Sequence, residues 1–233
     1  MPKRGPEPSG ATPGGIPRPF ELVIAAGGLL ATMPVIAGAA ILVRLSSRGG
    51  AFFRQLRVGR GGKGFTLYKL RTMTAEDGGP MVTASGDKRV TRVGRLLRWT
   101  KIDELPQLWN VFCGHMSLVG PRPEVPKYVN PEDPDWRSIL RVRPGITDPV
   151  TLKLRDEEAL LARVPGDREL YYREVLLPFK MRESLEYLQK RSWRTDVAVL
   201  WRTVVAICFR PKGEHQDLWP AALEGGSSAG PEH

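Results

Sequence analysis

Cysteine is scarce in this chain of 233 residues, which carries only Cys113 and Cys208. Two cysteines are too few for a disulfide framework, and the sequence contains no C-x-x-C pair and no Cys/His cluster of the kind that binds zinc. The composition therefore indicates a reducing, cytoplasmic setting, and we expect both cysteines to be packing residues.

Acidic residues are also in short supply, since 25 Asp and Glu face 35 Lys and Arg and the formal net charge at pH 7 is +10. This balance favours anionic partners, which belong to three classes: nucleic acid, an anionic membrane surface and phosphorylated substrates. Charge alone does not choose among them. The length and the 41% of hydrophobic residues predict one main domain with a sizeable core, and the sequence shows no internal repeat.

Apolar residues are sparse in residues 1–19, which are rich in proline and glycine. A segment of this composition cannot repay the conformational entropy of ordering, so we predict a disordered basic tail. It also lacks the order of a signal peptide, in which a basic start leads directly into an apolar run and a cleavage site. A second, mostly disordered segment is predicted at residues 213–233.

Charge is missing altogether from Leu22–Val43, an apolar run of 22 residues that as one helix could cross a hydrocarbon core about 30 Å thick. Pro34 interrupts the run, and proline removes a backbone donor and bends a helix. Both flanks are basic, so a straight crossing would export one positive flank against the positive-inside bias. We predict a re-entrant membrane helix at residues 20–45, hinged at Pro34. A buried core helix and an ordinary spanning helix are the alternatives.

The pattern changes over residues 46–212 to that of a mixed α/β domain with interfacial helices. The predicted elements are a strand over 65–73, an exposed loop over 78–87, a basic amphipathic helix over 89–99, and helices over 176–193 and 195–209. Trp193, Trp201 and Phe209 lie among basic residues in the last two helices. Such aromatic side chains favour the headgroup level of a membrane, with core packing as the alternative.

Two neighbouring carboxylates, Asp103 and Glu104, stand just before Pro106 in WTKIDELPQLWNVF. One interpretation is a helix cap, because with Asp103 as the cap Pro106 falls within the first turn, where its missing N–H is no loss. The other interpretation is chemistry. A carboxylate ionised at pH 7 can attack phosphorus without a general base, and a second carboxylate beside it can hold Mg²⁺. The two residues alone leave both interpretations open.

Arginine is prominent in two further motifs. Arg122 stands between Pro121 and Pro123 in SLVGPRPE, and the two prolines restrict the backbone that presents its guanidinium. A guanidinium held in this way suits bidentate binding of phosphate, whereas the alternative is a simple turn with a solvated arginine. Arg143 lies in RVRPGIT, where a Pro-Gly turn again follows basic residues, and it is a candidate contact for a diphosphate.

The blocks FFRQLRVGRGGKGFTLYKLRTM, TRVGRLLRWTKIDELPQLWNVFCGHMSLVGPRPE and RVRPGIT together resemble the hallmark motifs of the small bacterial sugar transferases, the monotopic phosphoglycosyl transferases. The resemblance runs from about Phe20 to Phe209. It is most specific in the DELPQLWNV and SLVGPRPE pair, which follows a proline-broken apolar segment. The family's apolar segment is a re-entrant helix hinged at proline, in agreement with the charge argument about Pro34.

The resemblance implies an activity and a location. Members transfer a sugar 1-phosphate from a nucleotide diphosphate sugar to polyprenyl phosphate, as the first membrane step of polysaccharide or glycoconjugate assembly. The reaction takes place at the cytoplasmic face of the cell membrane. The implied cofactor is Mg²⁺, and membrane lipids are implied partners.

The same resemblance assigns residues. Asp103 is implied to be the nucleophile that forms a covalent phosphosugar intermediate, and Glu104, with Asp103 beside it, is implied to bind Mg²⁺. The residues predicted to bind phosphate or substrate are Lys69, Arg71, Arg98 and Arg122 on basic positions of the family motifs, Arg143 in its own motif, and Asp196 on an acidic position of a C-terminal helix.

Three features depart from the family pattern. Met33-Pro34 stands where many members carry Ser-Pro, so we expect the hydroxyl of Thr32 to take up the backbone bonds that the proline frees. Gly114-His115 replaces the usual Gly-Asp. After Thr147 the chain continues DPVTLKLRDEEALLA in place of GWAQVNGR or a close variant, and this region is expected to help choose nucleotide and sugar.

Two other classes of function compete with the enzymatic interpretation. A membrane-anchored adaptor would bind anionic lipid through its basic helices without turnover, but it needs no pair of acids before Pro106. A nucleic-acid binder is disfavoured by the uncharged run Leu22–Val43, and it would show a steep dependence of binding on salt. We therefore predict no nucleic-acid partner, and we count a homo-oligomer among the partners to test.

Overall fold

The structure is a computed structural model that describes residues 14–74, 86–154, 157–164 and 166–209. The helices are α1 Arg18–Ser46, α2 Arg92–Thr100, α3 Gln107–Phe112, α4 Pro134–Ile139, α5 Pro149–Lys153, α6 Glu157–Ala162, α7 Arg168–Tyr171, α8 Leu177–Gln189 and α9 Trp193–Cys208. The strands are β1 Phe52–Val58, β2 Gly64–Leu70, β3 Ser117–Val119 and β4 Gly145–Thr147. The tail predicted at 213–233, the first 13 residues of the N-terminal tail and most of the loop predicted at 78–87 lie outside the described residues.

The helix α1 contains the whole uncharged run, and Pro34 lies inside it without ending it. Its 29 residues span about 44 Å at a rise of about 1.5 Å per residue. Among the described helices it alone is long and apolar enough to cross a membrane. Only Glu21, Ala25, Ala39 and Val43 are buried along it, so the alternative of a buried core helix is wrong. The hinge at Pro34 stays a prediction.

The hydroxyl of Thr32 does not take the place that we expected. Proline at position 34 leaves the carbonyl of Leu30 without its usual i−4 donor. Thr32 Oγ1 instead donates to the carbonyl of Gly28 at 2.6 Å. That expectation is therefore wrong, because the hydroxyl serves a carbonyl two residues earlier in the helix.

Two small sheets stand beside α1. Strands β1 and β2 pair antiparallel, from Phe52 opposite Leu70 to Val58 opposite Gly64, and β2 confirms the strand predicted in this region. Strands β3 and β4 pair in parallel, and this pairing brings the SLVGPRPE and RVRPGIT motifs side by side. The mixture of helices and two sheets agrees with the predicted α/β class.

The helix α2 confirms the predicted basic amphipathic helix and is fixed closely against β2. Thr91 caps its start by accepting from the backbone N–H of Gly94 at 2.8 Å. A side chain at Gly94 would place its Cβ 1.9 Å from the carbonyl oxygen of Thr72, so only glycine allows this approach. The close contact sets the position of Arg98 and of the acids that follow the helix.

The buried apolar residues form two clusters. The main core contains fully buried side chains from α3, β3 and the C-terminal helices, among them Val111, Met116, Val119, Leu161 and Leu176. A smaller cluster joins Ala39 and Val43 of α1 to Leu70 of β2 and Leu97 of α2. The membrane helix therefore contributes side chains to both cores.

The exposed residues test two expectations about packing. The helices α8 and α9 confirm the two predicted C-terminal helices, and Trp193, Trp201 and Phe209 are 54%, 69% and 74% exposed, which excludes core packing for these three. Cys113 and Cys208 are free and exposed, so the expectation that both are packing residues is wrong. Both lie at helix ends, where the side chain turns away from the core.

Candidate active site

A sharp change of chain direction presents the two acids. The helix α2 ends at Thr100, and Lys101 adopts φ 60° and ψ 14°, the left-handed region that favours glycine. Of the residues described, no other non-glycine residue has a positive φ. A 3₁₀ turn over Ile102–Glu104 follows directly, and it buries Asp103, which is 6% exposed. Backbone strain of this kind is concentrated at functional sites.

Neither acid caps a helix. The helix α3 begins at Gln107, its preceding residue is Pro106, and no side chain caps it. The carboxylate of Asp103 lies one turn too early to reach the free amides of α3. The helix-cap interpretation of these residues is wrong, because the left-handed Lys101 starts a separate 3₁₀ turn.

Glu104 is held by two cations from distant parts of the chain. Lys69 Nζ, on β2, lies 3.0 Å from Glu104 Oε1. Arg122, in the loop after β3, places Nη2 2.7 Å from Oε1 and Nη1 3.5 Å from Oε2. Three of the sequence motifs therefore meet at one carboxylate, and the fork of Arg122 faces it with both terminal nitrogens.

The position of Arg122 is set by β4 and by the turn that follows it. Its Nη1 donates to the carbonyl of Ile146 at 3.4 Å, and its backbone N–H donates to Asp148 Oδ2 at 3.1 Å. Asp148 is 2% exposed and also caps α5 by accepting from the N–H of Thr151 at 2.5 Å. Sequence reasoning missed Asp148, although an Asp-Pro pair at a helix start is a recognisable signal.

The two neighbouring acids differ in their pKa. Burial, then the charge of Glu104, raises the pKa of Asp103 from 3.8 to about 6, against the opposing charge of Lys69. Burial also disfavours ionisation of Glu104, but Arg122 and Lys69 outweigh it and hold the pKa of that carboxyl well below its ordinary value. Burial lowers the pKa of Lys69, although Glu104 opposes the shift. Glu104 is thus a permanently ionised, fixed group, whereas Asp103 is the more basic of the pair.

The hydrogen bonds of Asp103 and Glu104 also differ. Asp103 Oδ1 is buried and has no hydrogen-bond partner among the described residues. Both oxygens of Glu104 face cations. A more basic carboxylate with an unpartnered oxygen is the better nucleophile, so the geometry favours Asp103 over Glu104 for attack on an electrophilic phosphorus.

Arg98 lies beside this cluster but already has an acidic partner. Its Nε donates to Thr72 Oγ1 at 2.8 Å, and its Nη1 forms an ion pair with Glu158 Oε1 at 2.7 Å. The charge of Arg98 also acts to lower the pKa of Asp103, although burial and Glu104 dominate. Glu158 belongs to α6, within the region after Thr147 that departs from the family pattern.

Three of the predicted residues lie outside the cluster. Arg71 donates through Nη1 to the carbonyl of Arg48 at 2.6 Å and through Nη2 to that of Ser47 at 2.8 Å. Arg143 donates through Nε to the carbonyl of Gly114 at 3.0 Å. The structure therefore gives both arginines backbone partners elsewhere in the fold.

Asp196, the third of these residues, is fully buried in a polar network of its own. It accepts from the hydroxyl of Tyr187 at 2.6 Å, from Arg191 Nη2 at 3.2 Å and from the backbone N–H of Ile16 at 3.3 Å. The network thus fixes the segment that leads into α1. The structure gives Asp196 no contact with Asp103 or Glu104.

A second polar anchor at the start of α1 was also missed in the sequence. Glu21 is 3% exposed, and its Oε1 accepts from the N–H of Leu118 at 3.1 Å and from the hydroxyl of Ser117. Arg18 Nη1 bonds to Glu21 Oε2 at 3.1 Å and to the carbonyl of Met116 at 3.2 Å. The membrane helix is therefore bound to β3, the strand that leads to Arg122. A glutamate directly before an uncharged run is the signal that could have revealed it.

The carboxylates of Asp103 and Glu104 can supply part of a coordination shell for Mg²⁺. Among the residues described, no group of three or more His, Cys, Asp or Glu could hold a metal ion. Mg²⁺ commonly takes one or two carboxylates and completes its shell with waters and substrate phosphates. Glu104 Oε2 has only the long contact to Arg122, and Asp103 Oδ1 has no partner. The pair therefore fits Mg²⁺ that also binds the phosphates of a substrate.

Comparison with known proteins identifies the family of this chain. The family model described as bacterial sugar transferase matches residues 14–210. The UDP-glucose:undecaprenyl-phosphate glucose-1-phosphate transferase of Caulobacter vibrioides is 40% identical over 191 residues, which cover 79% of this chain and 67% of that protein. The Escherichia coli protein of the same name is 39% identical over 196 residues, which cover 80% of this chain and 39% of that protein. The exopolysaccharide production protein PSS of Rhizobium leguminosarum is 32% identical over 205 residues, which cover 84% and 96%.

Proposed function

The chain belongs to the bacterial sugar transferase family, and we propose that it transfers a sugar 1-phosphate from a nucleotide diphosphate sugar to polyprenyl phosphate. The names of the relatives support this reaction, since they include undecaprenyl-phosphate glucose-1-phosphate transferases. The chain spans 39% of the length of the Escherichia coli relative and 67% of that of the Caulobacter vibrioides relative. The product, a polyprenyl diphosphate sugar, would be the first lipid-linked intermediate of polysaccharide or glycoconjugate assembly.

The first half of the proposed reaction is an attack by Asp103. A carboxylate oxygen of Asp103 forms a bond to the phosphorus that carries the sugar, and the bond from that phosphorus to the bridging oxygen of the diphosphate breaks. The nucleoside monophosphate leaves with this electron pair. The enzyme keeps the sugar phosphate as an acyl phosphate. The observation that supports this step is the buried, unpartnered Asp103 of raised pKa beside a clamped Glu104.

The second half of the reaction passes the sugar phosphate to the lipid. An ionised oxygen of polyprenyl phosphate attacks the same phosphorus, the bond to Asp103 breaks, and the carboxylate is restored. No general base is needed, because the acceptor oxygen is already charged. The two halves exchange one phosphorus–oxygen bond each, which predicts ping-pong kinetics.

Cations around the acids would hold the negative substrates. Lys69 and Arg122 offer donors beside Glu104, and they fix that carboxylate so that it does not compete with Asp103. Bound Mg²⁺, held by Glu104 and Asp103, would supply neutralisation of the diphosphate oxygens. Arg98 already forms an ion pair with Glu158, so a bound phosphate would compete with that carboxylate.

The contacts of α1 support a monotopic arrangement with both of its ends on the cytoplasmic side. Near its start, Glu21 bonds to Leu118, and near its end, Val43 packs with Leu70 and Leu97. A helix that crossed the bilayer away from the domain would leave one end without such contacts. We propose that α1 enters the bilayer from the cytoplasmic face and that both ends remain there with the domain.

Exposed apolar side chains supply a surface for lipid contact. They project from α1, from the two short helices beside the acids and from α9, and this distribution supports the proposal that these helices lie at the membrane interface. They include Val23, Leu30, Leu45, Trp99, Trp109, Phe112, Trp193, Trp201 and Phe209.

Intact-protein mass spectrometry tests the proposed function. The purified protein with Mg²⁺ and UDP-glucose, or another sugar nucleotide from a panel, should gain the mass of a sugar phosphate when the lipid acceptor is withheld. The adduct should map to Asp103 and be absent from Asp103→Asn. Asp135→Asn, at an exposed acid, is the matched control and should form the adduct like the parent. An Asp103→Asn protein that is folded and transfers at the parental rate would disprove the mechanism.

Cysteine labelling tests the topology. In a background without Cys113 and Cys208, single cysteines at Ser9 and at the exposed Glu132 should both resist an impermeant thiol reagent in intact cells. Both should react after the cells are opened. Labelling of Ser9→Cys alone in intact cells would show that α1 spans the bilayer.

A further inference from the structure

An open cavity of about 660 Å³ lies between the C-terminal end of α1 and the start of β1. Its walls include three arginines and three large apolar side chains: Ile41, Arg44, Phe52, Phe53, Arg54 and Arg71. The volume is in the range of small-molecule binding sites. Its place at the end of the membrane helix opens it to lipid.

Arg71 makes this cavity a built site. The side chain is 9% exposed, and its terminal nitrogens hold the carbonyls of Ser47 and Arg48. Its Nε is buried and has no hydrogen-bond partner in the part of the chain that the structure describes. Gly49 adopts φ +115°, and a Cβ there would lie 2.1 Å from Arg71 Nη1, so the linker is shaped around the guanidinium.

The positive charge of the cavity has no acidic partner among the residues that the structure describes. None of Arg44, Arg54 and Arg71 has a carboxylate within ion-pair distance among the described residues. Arg44 and Arg54 are exposed, whereas Arg71 is buried, and a buried cation is costly unless an anion compensates it. Three arginines that line one cavity without an acid are complementary to a phosphate.

The apolar side chains of the cavity indicate which kind of phosphate compound it would bind. Ile41, Phe52 and Phe53 are 60%, 45% and 44% exposed and lie beside the arginines. A nucleotide sugar could stack its base on one phenylalanine, but it has no hydrocarbon chain to lie along all three side chains. A lipid that ends in a phosphate matches both the arginines and the apolar side chains.

The cavity is also adjacent to the candidate active site. Phe53 on β1 stands directly opposite Lys69 on β2, and such pairs share one face of a sheet with Cβ atoms about 4.5–5.5 Å apart. Lys69 forms the ion pair with Glu104. The wall of the cavity at Phe53 therefore lies beside the residue that holds Glu104.

We propose that the cavity lined by Arg44, Arg54 and Arg71 binds the acceptor, with the phosphate of polyprenyl phosphate on the guanidiniums and its first isoprene units against Ile41, Phe52 and Phe53. This inference rests on the proposed function. It places the acceptor on the α1 side of the acids. Arg71 serves here as a phosphate ligand and as the clamp of the linker after α1.

Steady-state and single-turnover assays in neutral-detergent micelles test the inference. The double variant Arg44→Gln/Arg54→Gln removes two guanidiniums and leaves the Arg71 clamp in place. We expect its KM for undecaprenyl phosphate to rise about 10-fold or more, as the loss of charge-assisted hydrogen bonds predicts. Formation of the sugar-phosphate adduct without acceptor should stay within about 2-fold of the parent, since that half of the reaction needs only the donor.

Control measurements identify the occupant. Arg137→Gln, at an exposed arginine on α4, should keep the parental KM. Binding to phosphatidylglycerol vesicles and inhibition by inorganic phosphate are measured in parallel. An unchanged KM of the double variant would overturn the inference. If only vesicle binding fell, the cavity would be a site for bulk phospholipid. If only phosphate inhibition changed, it would be a site for free phosphate. Either outcome would overturn the acceptor assignment. A parent protein without adduct would instead disprove the proposed function, and with it the inference.

Discussion

Asp103 should lose reactivity in a pH range where an ordinary aspartate stays ionised. With a pKa of about 6, the carboxylate is about nine-tenths ionised at pH 7 and about one-tenth at pH 5. With donor and Mg²⁺ well below saturation, where the rate reports ionisation of the free enzyme, adduct formation should therefore fall about 10-fold over this interval. An aspartate of pKa 3.8 would lose less than about a tenth of its ionised fraction.

The same pKa predicts an effect on stability. Because the folded-state pKa is raised, ionisation of Asp103 opposes folding. The stability that the neutral carboxyl provides is fully present below pH 3.8, is lost as the pH rises to about 6, and stays lost above that value. The shift corresponds to about 3 kcal/mol at most. Asp103→Asn, which cannot ionise, should thus be more stable than the parent at pH 7 and equal to it near pH 3.5.

The assay combines rapid-quench measurement of the adduct from pH 5 to pH 8 with thermal unfolding of the parent and Asp103→Asn in micelles. Glu104→Gln supplies a matched comparison, because it removes the neighbouring charge that raises the pKa of Asp103 and releases Lys69 and Arg122 toward it. In this variant the fall in rate should move to a lower pH. A parental adduct rate at pH 5 equal to that at pH 7, measured with donor and Mg²⁺ well below saturation, would refute the reasoning.

Two further substitutions test the anchors of the site. Arg122→Lys keeps the charge but loses the two-pronged contact with Glu104, so the transfer rate should fall about 10-fold or more, and an unchanged rate would reduce this residue to a turn arginine. Glu21→Gln weakens the bonds to Ser117 and Leu118 and should lower the free energy of unfolding by about 1–3 kcal/mol in urea titrations. The control is Glu132→Gln, which changes an exposed acid. Equal urea midpoints for the two variants would show that Glu21 does not anchor α1.

Periodicity was sufficient to predict several elements of the fold. The amphipathic pattern with interleaved arginines located α2, and the alternation after the glycine turn located β2. The position of α1 on the domain could not be predicted in the same way. It depends on Glu21, which bonds to Leu118 97 residues later in the chain, and on Val43, which packs with Leu70 and Leu97, 27 and 54 residues later.

Some residues of the candidate site could be predicted from local motifs, whereas their contacts depend on distant parts of the chain. The motifs drew attention to Asp103, Glu104 and Arg122, and the fold brings these residues together with Lys69. Arg71 stands only two residues after Lys69, but the carbonyls of the Ser47–Gly49 linker draw its guanidinium away, and no local pattern reports them. The helix-cap expectation failed because Lys101 adopts a conformation that glycine usually takes.

The way in which α1 is joined to the domain has a consequence for production of the enzyme. A membrane anchor that is only tethered to a catalytic domain can be removed to give a soluble fragment. Here deletion of the anchor would take Ala25 from the main core and Ala39 and Val43 from the smaller one, and would leave Ser117 and Leu118 without their carboxylate. A chain that begins after residue 46 should therefore be recovered as insoluble aggregate, and the domain should reach its final structure only after the ribosome has delivered α1 to the bilayer.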